Sequence, residues 1–257
     1  MKHAIFLVLL FGSIGITTSS KAQVKYKLRK YEHVKKFYKG ISKKATELCL
    51  KNNIPPAALL AITGLESGWD SGYIGQITGN ILSLGLRKGD IELPGLRLPR
   101  LIKTNKIVFD SLEIIKHSEN ELKWENRPES LKKDYRPKHI AGTKYQLAYF
   151  KYHPKEKTAA QIANINDFVT VFIGRKSRLK AYRNARKKMD DLVAKHGKSI
   201  LLKEQTAIDF VNEIGGKPNS YNFRETWPKK VIYIIKNTGL PQLTSLLHQG
   251  EKFEKSW

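Results

Sequence analysis

The segment Gly64-Leu65-Glu66-Ser67-Gly68-Trp69 closes an apolar stretch, and Glu66 is the only acid between Glu47 and Asp70. A lone carboxylate at the end of a helix that is apolar on nearly every side would be partly desolvated. Desolvation disfavours the charged form, and the negative end of the helix dipole acts in the same direction, so both keep the acid protonated towards neutral pH. A protonated carboxylic acid beside an open Gly-rich turn suits glycosidic cleavage, in which the leaving sugar oxygen must take up a proton as the bond breaks. Trp69 would offer a ring face to a sugar. The plain alternative is a surface Glu closing a helix, with Trp69 in the core.

Other chemistries find less support in the residue types. Cys49 is the only cysteine, which excludes an internal disulfide, a zinc finger and an iron–sulfur cage. The seven histidines (His3, His33, His117, His139, His153, His196, His248) form no i, i+4 pair, so no helical metal motif is expected, and no cofactor. Ser67 lies in E-S-G rather than G-x-S-x-G, without a nearby His, which argues against a serine hydrolase. Arg175, Arg178, Arg183 and Arg186 fall on expected helices and read as a solvated face. Their functional alternative is a contact with an anionic polymer.

The elements that must position Glu66 follow from periodicity. Ile41, Ala45, Leu48 and Cys49 recur at helical spacing and stop at Asn52-Asn53; Cys49 is expected to be a small buried hydrophobe. Ile54-Pro55-Pro56 opens the next helix, because proline suits a first turn and forbids helix just before it. That helix is apolar all round and belongs in the middle of a core. Residues 67 to about 110 are rich in Gly turns, the territory of loops and a small sheet. Charged Lys116 to Lys138 has little periodicity, and Tyr145 to Tyr152 alternates well enough for one strand. Thr158 is a candidate N-cap for a helix reaching Gly174, and three more helices are expected at about 178–196, 204–214 and 227–238. Residues 23–40 read as a basic aromatic lead-in and 241–257 as a polar tail, leaving 41–240 as one domain.

The N-terminus leads to the expectation of an exported chain, and export changes how its charge reads. Residues 1–22 carry a basic start (Lys2, His3), an apolar run from Ala4 to Ile16, and small residues at Ser20 and Ala22, the pattern of a secretory signal peptide. The run is too short for an ordinary membrane-spanning helix. Lysine and arginine number 47 against 23 acids, a net charge of +24. Removing residues 1–22 takes away Lys2 and Lys21 and no acid, which leaves +22. Export argues against nucleic acid as the partner of so basic a chain; the anions outside are cell-wall and envelope polymers in the periplasm or beyond.

The segment A-A-L-L-A-I-T-G-L-E-S-G-W (Ala57 to Trp69) resembles the A-Q-A-x-L-E-S-G-W motif of bacterial glucosaminidases of glycoside hydrolase family 73, which include autolysins and flagellar cell-wall hydrolases. Thr78 to Leu86 resembles that family's N-L-F-G-I-K stretch, and Phe150-Lys151-Tyr152 its F-R-x-Y strand. Ser220 to Val231 is similar, at equal length, to G-Y-A-T-D-P-x-Y-A-x-K-I. Together the four segments span about residues 41 to 240.

The resemblance implies a lysozyme-like, mainly helical fold with a small β-lobe beside a substrate groove. It also implies an endo-β-N-acetylglucosaminidase that cleaves the β-1,4 bond after N-acetylglucosamine in peptidoglycan glycan strands. Residue by residue, it makes Glu66 the general acid and Tyr221 the active-site tyrosine, and it points to Trp69, Asn80, Tyr152 and Trp227 as substrate contacts. The chain departs from the family at Arg224-Glu225, which stand for Asp-Pro, and in lacking an alignable acid in the β-lobe. Asp90 and Glu92 are the nearest candidates there, although two acids in a charged loop more often face solvent. The substrate's acetamido group is the alternative nucleophile. A lytic transglycosylase and a non-catalytic wall-binding protein of the same fold are the competing readings.

Overall fold

At the centre of the molecule is the helix α2 (Pro56–Ser67), whose residues are almost all buried and which packs against α1 (Glu32–Lys51), α8 (Glu204–Ile214), α9 (Thr226–Thr238) and α10 (Leu240–His248). The structure is a computed structural model that describes residues 26–257; the expected signal peptide and residues 23–25 lie outside the described residues. Pro56 opens α2 as the sequence requires. The helix ends at Gly68, whose left-handed φ of 58° costs a glycine little. Outside these, α6 (Pro154–Asp167) packs on α1 and runs into a π-helical turn over Phe168–Phe172, and α7 (Lys180–His196) packs on α8. One continuous apolar core runs through these elements from Val34 to Leu247.

The second part of the molecule is small. Strands β1 (Leu96–Leu101) and β2 (Leu122–Arg127) pair antiparallel, with Leu96 opposite Arg127 and Leu101 opposite Leu122. Leu93, Leu96 and Leu98 pack on Ile77 of the short helix α3 (Tyr73–Thr78) to form a minor core. The chain is therefore mainly helical with a small β-lobe, the fold class read from the sequence. The four-residue helices α4 (Ser111–Ile114) and α5 (Tyr149–Tyr152) edge the lobe.

Four expectations are corrected. α1 begins at Glu32 rather than near Ile41, because Val34, Phe37 and Tyr38 extend the buried stripe and the lysines between them face outwards. The lead-in and the tail are not appendages. Arg29 donates from Nε to the Thr238 carbonyl (2.9 Å) and from Nη1 to that of Ser256 (3.2 Å), and its guanidinium lies over the Trp257 ring. Leu240, Leu243 and Leu247 of α10 are core residues, so the tail from 241 belongs to the domain. Residues 145–152 form turns and the start of helix rather than a strand: Phe150 alone of the aromatic positions turns inwards, and His153-Pro154 leads straight into α6. That start at Pro154 leaves Thr158 inside α6, where its hydroxyl donates to the Pro154 carbonyl instead of capping.

Candidate active site

Glu66 sits on the last turn of α2, half-buried, at one wall of a cleft of about 380 Å³. The other walls come from α3 (Tyr73, Ile74), the turn at Asn80 to Ser83, and the segment Pro128 to Lys132 that leaves β2. Trp227, on α9, is 3% exposed and donates its indole N–H to Glu66 Oε1 at 2.9 Å. The Tyr221 ring lies tilted on that indole with centroids 5.4 Å apart. Burial pushes the Glu66 carboxyl above the usual range. The Trp227 hydrogen bond and the charges of Lys132 and Arg224 pull it back only in part. The charge of Glu66 in turn adds to the burial that raises the phenols of Tyr221 and Tyr182. The acid therefore has an aromatic wall on one side, whose burial shifts it towards its protonated form, and an open cleft on the other, from which a substrate can reach it.

The backbone beyond Glu66 is strained and pinned. Gly68, Trp69 and Asp70 all have positive φ (58°, 51° and 68°), a conformation that costs non-glycine residues about 1–2 kcal/mol each. Polar contacts hold the turn: Asp70 pairs with Lys157 and accepts from Gln161, while its N–H donates to Ser67 Oγ at 3.0 Å. This turn decides where Trp69 goes. Its indole N–H donates to Tyr38 Oη (3.2 Å), and the ring meets His33 edge-on, outside the cleft lining. A Cβ on Gly64 would lie 2.6 Å from Tyr38 Oη and 2.8 Å from Trp69 Nε1, so only glycine lets the two rings close over the helix.

The structure joins some expected residues to Glu66 and separates others. Tyr221 and Trp227 come to it across more than 150 positions of sequence, Trp227 as a positioning residue rather than an exposed sugar platform. Tyr221 donates its hydroxyl to the Leu82 carbonyl and so ties the Asn80–Ser83 wall to the segment before α9. Trp69 does not line the cleft; it faces Leu65, Lys229 and Tyr233 in a separate hollow. Asn80 borders the cleft, but its amide is spent on the protein. Nδ2 donates to the carbonyls of Leu84 and Lys133, and Oδ1 accepts from Leu84 N and Asn164 Nδ2. Tyr152 is remote, bound to Asp110 on the β-lobe.

Asp90 and Glu92 are occupied elsewhere. Asp90 pairs with Lys133 (3.0 Å) and caps Arg87 N, and Glu92 accepts from Leu131 N. The acid that shares the cleft with Glu66 is instead Glu129, exposed and, among the described residues, without an ion-pair partner. Lys132 lines the cleft beside it and donates to the Ser83 carbonyl at 2.8 Å. Neither was legible in a segment without periodicity, because pairing of β2 with β1 is what carries them there. Of the arginines read as a solvated face, Arg186 is buried and donates to the Val169 carbonyl, and Arg175 pairs with Asp190.

No helix among the described residues is long and apolar enough to cross a membrane, and no three His, Cys, Asp or Glu side chains among them gather as metal ligands. The chain matches no family model, no curated protein and no solved structure at a significant level.

Proposed function

We propose that this protein is an exported glycoside hydrolase that cleaves the β-1,4 bond after N-acetylglucosamine in peptidoglycan, with Glu66 as the general acid. One observation carries the reading: a half-buried carboxyl, raised by desolvation and aimed by the Trp227 indole, at the wall of an open cleft between a helical body and a β-lobe. The resemblance of Ala57–Trp69 and Ser220–Val231 to the glucosaminidases supports the choice of bond. In the reaction the Glu66 proton passes to the glycosidic oxygen as the C1–O bond breaks, and positive charge develops on the sugar ring. Glu129, which also lines the cleft, is the carboxylate available to take a proton from the attacking water. It replaces Asp90 and Glu92 in that role. Lys132 and Arg224 would keep the cleft cationic and suit the carboxylates of a muramic-acid strand.

The test is digestion of purified sacculi, followed by zymography and by mass spectrometry of the released fragments. Glu66→Gln is expected to lower the rate by about 10²–10⁴-fold without unfolding the protein, the usual worth of a general acid. A variant that retains more than about a tenth of the parental rate would remove Glu66 from this role. Fragments lighter by one water, with the muramic ring closed, would identify a lytic transglycosylase instead.

A further inference from the structure

The β-lobe carries a second cleft, of about 670 Å³, that shares no lining residue with the Glu66 cleft. Arg97 and Trp124 of the hairpin form one side, and Lys144, Tyr145, Tyr149 and Tyr152 the other. Three of these rings are turned outwards: Trp124 is 48% exposed, Tyr145 77% and Tyr152 54%. So much exposed aromatic surface in one place on a small lobe marks an interaction site.

The rings are also held in place. Tyr152 donates to Asp110 Oδ2 at 2.9 Å, and Tyr149 donates to Glu156 at 2.6 Å while stacking on His153 with ring centroids 4.0 Å apart. Their hydroxyls are spent, so ring faces rather than polar tips are left to a ligand. Tyr145 is fixed through its backbone by the fully buried pair Asp134–Arg136. Arg136 Nη1 donates to the Tyr145 carbonyl and Nη2 to that of Thr143, each at 3.0 Å, and Asp134 accepts from Gly142 N. Burying an ion pair costs several kcal/mol of desolvation per ion and adds little net stability, whereas it does fix geometry. Here the geometry fixed is that of a loop whose tip presents Tyr145 to solvent.

We propose that this second cleft binds the carboxylate-bearing glycan strand itself, at a distance from the bond being cut. Flat aromatic faces match the C–H faces of β-linked N-acetylhexosamines. Arg97 and Lys144, which have no carboxylate within ion-pair distance among the described residues, match the lactyl carboxylates. β2 links the two clefts directly, since it runs from Trp124 in this one to the Pro128–Lys132 wall of the other. A strand gripped at both would be cut with a gain in effective concentration over either site alone. The choice of polymer rests on the proposed glycosidase reading.

The indole N–H signals of the four tryptophans give each cleft its own reporter, Trp124 for this one and Trp227 for the Glu66 cleft. The full chain carrying Glu66→Gln, chosen to slow cleavage, is titrated with a β-1,4-linked N-acetylglucosamine tetramer and with a muramic-acid-containing tetrasaccharide. The expected result is a saturable Trp124 shift with both, tighter with the muramic sugar and weakened by salt. Tyr145→Ala should then raise the Kd read at Trp124 about tenfold or more and leave the Trp227 titration in place. Movement of Trp124 without Trp227 would support this second site and overturn the glycosidase reading of the first. Movement of Trp227 alone, or of neither, would overturn the second site, as would a Trp124 titration unchanged by Tyr145→Ala.

Discussion

The helical body and the β-lobe are held together by different forces. The body buries one apolar cluster through α1, α2 and α6 to α10, with large side chains such as Leu60 and Phe210 fully shielded. The lobe buries only Ile77, Leu93, Leu96 and Leu98 as its own core. It relies instead on carboxylates: Asp134 with Arg136, Glu125 with Arg100 and Arg127, and Asp110 with Lys151 and Tyr152. Hydrophobic burial is non-directional and tolerant of pH, whereas these polar contacts are geometrically specific and depend on ionisation. The candidate catalytic cleft lies at the seam between the two, with its acid on the tolerant side and Glu129 on the specific side.

The largest effects should separate the two regions cleanly. Phe210→Ala is expected to cost about 3–5 kcal/mol and to lower the melting temperature of the whole protein. Asp134→Ala should cost a similar 3–5 kcal/mol, since it strands the buried Arg136, but the loss should be confined to the lobe. Amide hydrogen exchange checks this: loss of protection at 96–101 and 122–127 with α8 unchanged. Equal loss in α8 would mean that lobe and body unfold as one unit.

Acid should open the lobe before the body: the body also has lowered carboxyls, at Asp190 and Glu254, but its large apolar core does not rest on them. The Lys106 hydrogen bond holds the Glu113 carboxyl below its usual value. For Asp110 and Glu125 desolvation acts upwards, but the hydrogen bonds and charges of Lys151, Tyr152, Arg100 and Arg127 outweigh it and both end up lowered. Groups with depressed folded values stabilise fully above their unfolded pKa of about 4, and that contribution disappears as pH falls through the folded values. Exchange measured at pH 6 and at about pH 3 should therefore show lobe amides losing protection first.

A smaller effect is expected where the regions meet. Tyr221→Phe leaves the Leu82 carbonyl without its hydroxyl partner and should cost about 1–2 kcal/mol, read from denaturant unfolding. If the hydroxyl also serves turnover, kcat falls more than KM rises; a change in stability alone would leave Tyr221 as a brace for the cleft wall. The smallest effect concerns Glu66 itself. Its raised carboxyl contributes stability that is complete below the unfolded pKa and lost as pH rises through the folded value. Glu66→Gln should thus raise the melting temperature on the alkaline side of that value and not on the acid side. An equal shift on both sides would contradict the desolvation of the carboxyl.

Much of the body was legible because its helices repeat every 3.6 residues. The windows expected at 178–196, 204–214 and 227–238 are realised as Lys180–His196, Glu204–Ile214 and Thr226–Thr238, and Pro56 begins α2. The start of α1 was hidden by its lysines, although Val34, Phe37, Tyr38 and Ile41 already carry the stripe. The lobe was nearly illegible. Its strands are six residues long, and β2 (Leu-Lys-Trp-Glu-Asn-Arg) has no clean alternation because neither of its faces is fully buried.

By itself the sequence determined that Glu66 is a lone acid ending an apolar helix, since composition and local periodicity decide what lies near in the chain. It also determined the strong positive charge and the mainly helical class. Only the tertiary structure decided Glu66's companions. Trp69, three residues away, is turned from the cleft by three successive left-handed residues, while Trp227 and Glu129, 161 and 63 positions on, are brought to it. Helix formation is settled within a few turns of chain, but a site between two lobes is settled by long-range packing and strand pairing, whose partners leave no local pattern to read.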